Sequence, residues 1–352
     1  MSTQRDCERR LRVGLVGVGS HANRNILPAL HFLPVDLVAL CDLDEGLLRR
    51  TASEYRVDGV YTETARMYAE VGLDAVLLCV GPQQHPDLAV EALGAGLHVW
   101  MEKPPAMRTA QVDAMNAARA DRVCAVGFKK AYMPATRKAK ELMGQADFGQ
   151  LRSILAVYPM SIPADGRGVL ERGEYCNWLA NGCHPLSLVL ELGGDVRTVT
   201  TVRGAGEECA GAVFLHFASG AVGVLHLAAG APGGCPNEFY RLYGHGRLIA
   251  IENSTRVVYQ RGVPLQYGVS RDFAPPGTDT GALVWEASHR LATLENKALF
   301  VQGMVGELHD FCEAVLDGRP LLTCGLEFAR HLMQVYEAAL LSDGSPVELA
   351  AD

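Results

Sequence analysis

The sequence predicts an α/β chain of two domains. A doubly wound parallel sheet is expected first, then an α+β region with a large, mostly antiparallel sheet. Three observations carry this. Short apolar runs alternate with helix-period segments through residues 1–127. The first of these runs ends in a glycine turn. Beyond Leu151 the runs take on strand character and are separated by hairpin signals. At 352 residues the chain also exceeds one ordinary core, which places a second domain at 128–352.

The N-terminal strands read in order as "RVGLVGVG" (Arg12 to Gly19), "VDLVALCD" (Val35 to Asp42), "DAVLLCVG" (Asp74 to Gly81), "LHVWMEKP" (Leu97 to Pro104) and "VCAVGF" (Val123 to Phe128). Each is short, apolar and bounded by turn residues, as buried parallel strands are. Helix-period segments lie between them at Asn25 to Phe32, Glu45 to Tyr55, His85 to Leu93 and Ala110 to Ala120. Such alternation calls for right-handed crossovers in one sheet.

The first turn, "GVGSHA", has Gly17, Gly19 and Ala22 at the spacing of a dinucleotide fingerprint, with Ser20 and His21 inside it. The first glycine allows the tight turn. The second lets the backbone approach a pyrophosphate, and a small third residue lets the helix pack on the strand. Backbone N–H groups at the helix start then face the phosphates. Asp42 ends the next strand, 20 residues after Ala22. A carboxylate there suits ribose hydroxyls and repels a 2′-phosphate, which favours NAD over NADP. "GPQQHP" (Gly81 to Pro86) leaves a later strand at its carboxyl end, where Pro82 and His85 are candidates for the cofactor edge. His85 reads equally as a helix-start residue.

Composition narrows the partners. Apolar residues make up 49 %, charged ones 20 %, and the net charge is −8. That balance argues against nucleic acid and against an anionic membrane surface. "MSTQRDCERRLRVG" carries charge where a secretion signal needs an apolar run. The most apolar stretch, Ala210 to Gly230, is broken by His216, Ser219 and His226 and reads as paired strands rather than a membrane span. Ten cysteines without a secretion signal read as reduced thiols, with the cytoplasm as the expected compartment.

One strand runs into Glu102-Lys103-Pro104. A lysine on that strand end is either a catalytic group or a surface residue. The run "CVGPQQHPDLAVEALGAGLHVWMEKP", with "VGFKKAYMP" (Val126 to Pro134) and the closing "GELHDFCEAVLDGRPLLTCGLEFARHLMQVYEAALLSDGSPVEL", resembles the glucose–fructose oxidoreductase, inositol dehydrogenase and rhizopine-catabolism (Gfo/Idh/MocA) family. The resemblance implies an N-terminal Rossmann domain with Glu102 and Lys103 at the cofactor. It implies a second domain whose open sheet face serves a homo-oligomer, dimer or tetramer. It also implies NAD-dependent oxidation of a secondary alcohol of a sugar or cyclitol, or reduction of the matching ketone.

The sequence supports that second domain independently. Strand-like runs are "LRSILAVYP", "VRTVTTVRG", "GAVFLHFASGAVGVLHLAAG", "EFYRLYGHGRLIAIEN" and "RVVYQ". Helices are expected at Phe300 to Leu316 and Leu326 to Leu341, and a long loop at Phe273 to Gly281.

His184 aligns with the histidine of the family motif D-x-G-x-H, which makes Lys103 and His184 the joint proton-handling pair. Gly182 matches, but the aspartate position holds Ala180 and a further acidic position holds Ser187. Pro185 tolerates only a first helical turn, so a helix is expected to start beside His184, with the positive end of its dipole keeping the imidazole neutral. The alternative is a histidine that merely packs at a helix start. Cys183 beside His184 raises zinc, but no C-x-x-C pair completes a ligand set, and no metal is expected. Lys129 and Tyr132 fall where the family faces cofactor or substrate, or else face solvent. Tyr158 and Trp178 are candidates for stacking on a sugar or for buried packing. Asn181 stands beside the missing aspartate as a further substrate-side candidate.

Two other functions fit these residues. A non-catalytic dinucleotide-binding regulator accounts for Ala180 and Ser187. The kept Glu102-Lys103-Pro104 and His184 favour the enzyme over that regulator, and a third function, permanently bound NAD using transient oxidation for elimination, glycoside cleavage or epimerisation, is marked by tight NAD retention with no net NADH.

Overall fold

The computed structural model describes residues 9–233, 237–262, 268, 281–287, 297–321 and 323–350. The loop expected from Phe273 lies outside them up to residue 280. The chain divides into two compact units. The first comprises the described parts of 1–132, 172–175 and 294–337; the second comprises those of 133–171, 176–293 and 338–352.

The first unit is a six-stranded parallel sheet in the order β3-β2-β1-β4-β5-β6. Its strands are β1 (Leu11–Val16), β2 (Val35–Cys41), β3 (Gly59–Tyr61), β4 (Ala75–Leu78), β5 (His98–Met101) and β6 (Cys124–Val126). Between them run α1 (Leu27–Leu30, entered through a wide helical turn at Ala22–Ile26), α2 (Glu45–Tyr55), α3 (Thr64–Glu70), α4 (His85–Gly94) and α5 (Thr109–Ala118). The three-residue β3 and the short α3 were not among the expected elements. β3 has no fully buried residue to stand out as an apolar run.

The second unit begins with α6 (Pro134–Met143), and its centre is a nine-stranded sheet. It contains β7 (Ser153–Tyr158), β8 (Ile162–Pro163), α7 (Gly166–Arg172), α8 (Asn177–Gly193), β9 (Val196–Arg203), β10 (Glu208–Cys209), β11 (Gly211–Phe217), β12 (Val222–Leu227), β13 (Phe239–Tyr243), β14 (Leu248–Glu252), β15 (Arg256–Gln260) and β16 (Ala282–Glu286). All ladders in the large sheet are antiparallel except β12 with β7. The strand-like runs of the sequence become β7, β9 and β11 to β15. The additions are the two-residue β8, β10 and a C-terminal strand at Val347–Glu348, too short to show a pattern, and β16, an edge strand with almost no buried surface and therefore no core-facing pattern to read.

The chain then forms α9 (Lys297–Val301), α10 (Met304–Asp317), α11 (Leu326–Leu341) and β17 (Val347–Glu348). The boundary expected at 127/128 falls at 132/133, and the C-terminal helices return to the first unit up to residue 337. Their apolar faces explain this. Leu308, Phe311, Cys312 and Val315 of α10 share a core with Leu11, Val13 and Leu15 of β1. Arg119 pairs with Glu327, Arg330 with Asp113, and the Glu337 carboxylate accepts from Arg108 and from the Thr109 N–H, tying α11 to α5. An anion at a helix start is also favoured by the helix dipole.

Among the described residues no helix is long and apolar enough to cross a membrane.

Candidate functional site

The glycine turn is fixed by backbone geometry. Gly17 has φ +86°, and a Cβ there would overlap the Cys79 carbonyl oxygen. No L side chain fits that position without moving β4's exit. At Gly19 a Cβ would meet nothing within 4 Å, so this stretch of backbone is open to close approach from outside. Ser20 and His21 are exposed at the start of the helical turn, and Ala22 is buried behind it. Asp42 closes the turn: one carboxylate oxygen accepts from the Val18 N–H at 2.7 Å and the other from the Asp44 N–H at 2.9 Å. Each oxygen retains a second lone pair for a hydroxyl donor. A cleft of about 750 Å³ opens beside it, with Asp42, Glu63 and Asp87 in its lining and no lysine or arginine. These residues fit the ribose and pyrophosphate of a dinucleotide, and the carboxylates disfavour an added phosphate.

The strand end at Glu102-Lys103-Pro104 is held from two sides. His21 Nε2–H donates to Glu102 Oε1 at 2.7 Å, linking the glycine turn to β5. His85 Nδ1–H donates to the Pro104 carbonyl at 2.9 Å. Burial is the main influence on His85 and pushes its pKa down, so the ring is neutral and suited to this single donation. His85 opens α4, as its helix-start reading required, but it is 0 % exposed. Direct cofactor contact is therefore not what this residue does here: it anchors the turn carrying Lys103. Pro82 is likewise buried. The Glu102 side chain accepts from the Lys103 N–H at 3.1 Å, and Lys103 itself is partly exposed.

The turn after β6, Lys129–Tyr132, packs on α10. Lys129 Nζ donates to Gln302 at 2.9 Å, and burial lowers its pKa against the opposing pull of Glu307. Tyr132 is buried and its hydroxyl donates to Asp310 at 2.6 Å, with the Thr323 carbonyl at 3.1 Å. This hydroxyl is engaged within the first unit, so Tyr132 anchors α10 and the substrate-facing expectation for it is corrected. Residues missed in the sequence are Gln302 and Glu307. Glu307 had a readable signal: it interrupts the apolar stripe Met304, Leu308, Phe311, Val315 at helical spacing.

In the second unit α8 starts at Asn177, with Cys176 as its cap, not beside His184. Pro185 therefore lies inside the helix and has no N–H to give the Asn181 carbonyl. The helix forms nevertheless because its buried face, including Trp178, Leu179, Leu186 and Leu190, is continuous. His184 consequently sits two turns in, and the dipole argument for its neutrality falls. Asn177, Ala180, Asn181 and His184 share the stripe that is not fully buried. Tyr158 lies beside it, its ring centroid 6.5 Å from that of His184. Burial raises the Tyr158 pKa, so its hydroxyl stays protonated. Asn181 donates from its side-chain amide to Asn177 at 2.6 Å.

Ala180 is one helical turn before His184, where a carboxylate would have been its neighbour. Ser187 is buried and donates back to the His184 carbonyl. Trp178 is 0 % exposed and belongs to the core, so it offers no face for stacking on a ring. Cys183 is buried, its thiol donating to the Leu179 carbonyl. Among the described residues no three His, Cys, Asp or Glu side chains are grouped to hold a metal.

Residues 11–128 match the Gfo/Idh/MocA model, described as an oxidoreductase family with an NAD-binding Rossmann fold. The chain is 24 % identical over 254 residues to a myo-inositol 2-dehydrogenase of Thermotoga maritima, covering 68 % of this chain and 75 % of that protein. It is 29 % identical over 146 residues to a D-glucoside 3-dehydrogenase of Escherichia coli, covering 40 % and 41 %. Apart from the Thermotoga protein, these curated relatives are matched over less than half their length. A solved oxidoreductase from Agrobacterium radiobacter, in complex with NAD+, L-tartaric acid and magnesium, superposes with TM-score 0.80 at 19 % identity over 96 % of this chain and 98 % of that one. That likeness extends the fold to both units.

Proposed function

Residues 11–128 belong to the Gfo/Idh/MocA oxidoreductase family with the NAD-binding Rossmann fold, and on that premise we propose that the protein is an NAD-dependent dehydrogenase. Its substrate is a secondary alcohol of a sugar, sugar derivative or cyclitol, or the matching ketone. The observation that carries this reading is the Glu102-Lys103-Pro104 turn, anchored by His85 and His21 at the carboxyl edge of the sheet. The names of the relatives, an inositol and a glucoside dehydrogenase, support the substrate class.

Backbone N–H groups from Gly19 to Ala22 would hold the pyrophosphate, and Asp42, itself fixed by the Val18 N–H, would hold the ribose hydroxyls. The bound nicotinamide supplies the hydride acceptor. Lys103 donates a hydrogen bond to the substrate oxygen and stabilises its developing negative charge. Lys103 and His184 jointly remove the hydroxyl proton, with Asn181 and Tyr158 as substrate-side groups on or beside the His184 stripe.

Assembly belongs to the same proposal. Val202, Phe214 and Val222 are exposed on the large sheet, and these apolar side chains support a homo-oligomer through that face. We place the protein in the cytoplasm, where thiols stay reduced; its eight described cysteines are thiols rather than disulfides.

Ala180 favours a second reading, a dinucleotide-binding regulator, since it leaves His184 without a carboxylate one turn away. The test is a panel of sugars and cyclitols with NAD+, followed by NADH absorbance. The dehydrogenase reading expects NADH from at least one member. NAD+ that binds and exchanges, with no NADH from any member, supports the regulator instead, while NAD retained through purification with no net NADH supports transient oxidation.

A further inference from the structure

Among the described residues, Glu307 is a buried acid near Glu102 that the reaction above does not use. It lies on α10, which packs against β5 and against the turn Lys129–Tyr132. The residue is 3 % exposed, and neither carboxylate oxygen has a hydrogen-bond partner among the described residues. The charged and titratable groups that act on it come from each of these elements: Glu102 at the end of β5, Lys129 and Tyr132 after β6. On its own helix, Asp310 is occupied by Tyr132 and Arg319.

An ionised carboxylate in this setting is costly, because it has neither water nor donors around it. Burial first, and the negative charge of Glu102 second, push the Glu307 pKa well above the carboxylate range, with Lys129 opposing. Both effects favour the protonated form of Glu307. Glu102 and Lys129 stand at the carboxyl ends of β5 and β6, the edge at which such a sheet takes the nicotinamide half of its ligand. Oxidised nicotinamide carries a positive charge and reduced nicotinamide does not. A cation brought to a low-dielectric site favours the ionised form of a neighbouring acid.

We propose that Glu307 is a positioning residue that senses the redox state of the cofactor, releasing its proton to solvent when NAD+ binds and keeping it when NADH binds. The released proton goes to buffer, and uptake of one proton accompanies exchange of NAD+ for NADH. This rests on NAD as cofactor and not on the identity of the substrate.

The test is titration calorimetry of the full chain with NAD+ and with NADH in buffers of different ionisation enthalpy. Wild type should show proton release with NAD+ and none with NADH, and its NAD+ affinity should rise with pH, by up to about tenfold per pH unit. Glu307→Gln keeps the shape and removes the proton; it should abolish the release while NADH affinity stays within about twofold. Lys129→Met, which removes the cation opposing protonation, should also reduce the release. An infrared difference spectrum should lose a protonated-carboxyl band when NAD+ is added to wild type and show no such loss in Glu307→Gln. If NAD+ binds wild type without proton release, or the variant releases as much, the inference is overturned. Failure of both nucleotides to bind instead overturns the cofactor reading.

Discussion

In the first unit Lys103 rides on a turn gripped by His85 from one side and His21 from the other. In the second, His184 rides on a helix stripe whose neighbour one turn earlier is Ala180, with Tyr158 alongside. The first arrangement is set by backbone: a positive-φ glycine, a buried donor and a strand end leave few alternatives. The second is set by side chains on a helix that folds regardless of what they are. Constraint of the first kind tolerates little change, while the second lets chemistry drift with the fold intact. The two units should therefore respond to substitution in opposite ways.

The largest expected effect lies in the second unit. His184→Ala should lower kcat by about 10²- to 10⁴-fold, the usual contribution of a positioned acid or base. Thermal stability should barely move, since the side chain belongs to the stripe that is not fully buried. A large loss of stability with little loss of turnover would mean that His184 packs and does no chemistry.

Gly17→Ala should do the reverse. The forced positive φ costs about 1–3 kcal/mol, and overlap with the Cys79 carbonyl adds roughly 1–3 kcal/mol. Denaturant unfolding checks this. Gly19→Ala, with open space around its Cβ, should leave unfolding unchanged and weaken NAD binding alone. Equal stability losses in both variants would remove the distinction between the two glycines.

Asp42→Ala should reduce discrimination between NAD and NADP by about tenfold or more, because a like charge no longer opposes a 2′-phosphate. Unchanged preference in steady-state kinetics would shift selectivity to Glu63 or Asp87.

The smallest effect is a pH dependence of stability. Glu307 has a raised pKa when folded, so the stability it contributes is complete below the unfolded value near 4.5 and is lost as pH rises toward the folded value. Glu307→Gln lacks this loss. Its melting temperature relative to wild type should climb from about pH 4.5 upward, and a flat difference would show Glu307 ionised in the folded protein.

The same contrast explains what was legible in the sequence. The sheet, the glycine turn and Asp42 could be read because each follows from a backbone requirement carried by a local pattern. β3 was too short to show a pattern, and β16 too exposed. The start of α8 was misplaced because Pro185 signals a first turn locally, while a long apolar face carries the helix through it. The return of α10 and α11 to the first unit depends on contacts far apart in the chain. Glu307 was visible as an acid in an apolar stripe, but its meaning required knowing that Glu102 and Lys129 are its neighbours. His85 was readable as a helix start, and its hold on Pro104 was not.

Lys103 carries the proposed chemistry most directly. Once a substrate is found, kcat and NAD+ affinity should be measured side by side for wild type and Lys103→Ala. The proposal predicts a fall in kcat of about 10²- to 10⁴-fold with NAD+ affinity within about threefold, since it assigns the phosphate and ribose contacts to the glycine turn and Asp42. Turnover of Lys103→Ala close to that of wild type would contradict it.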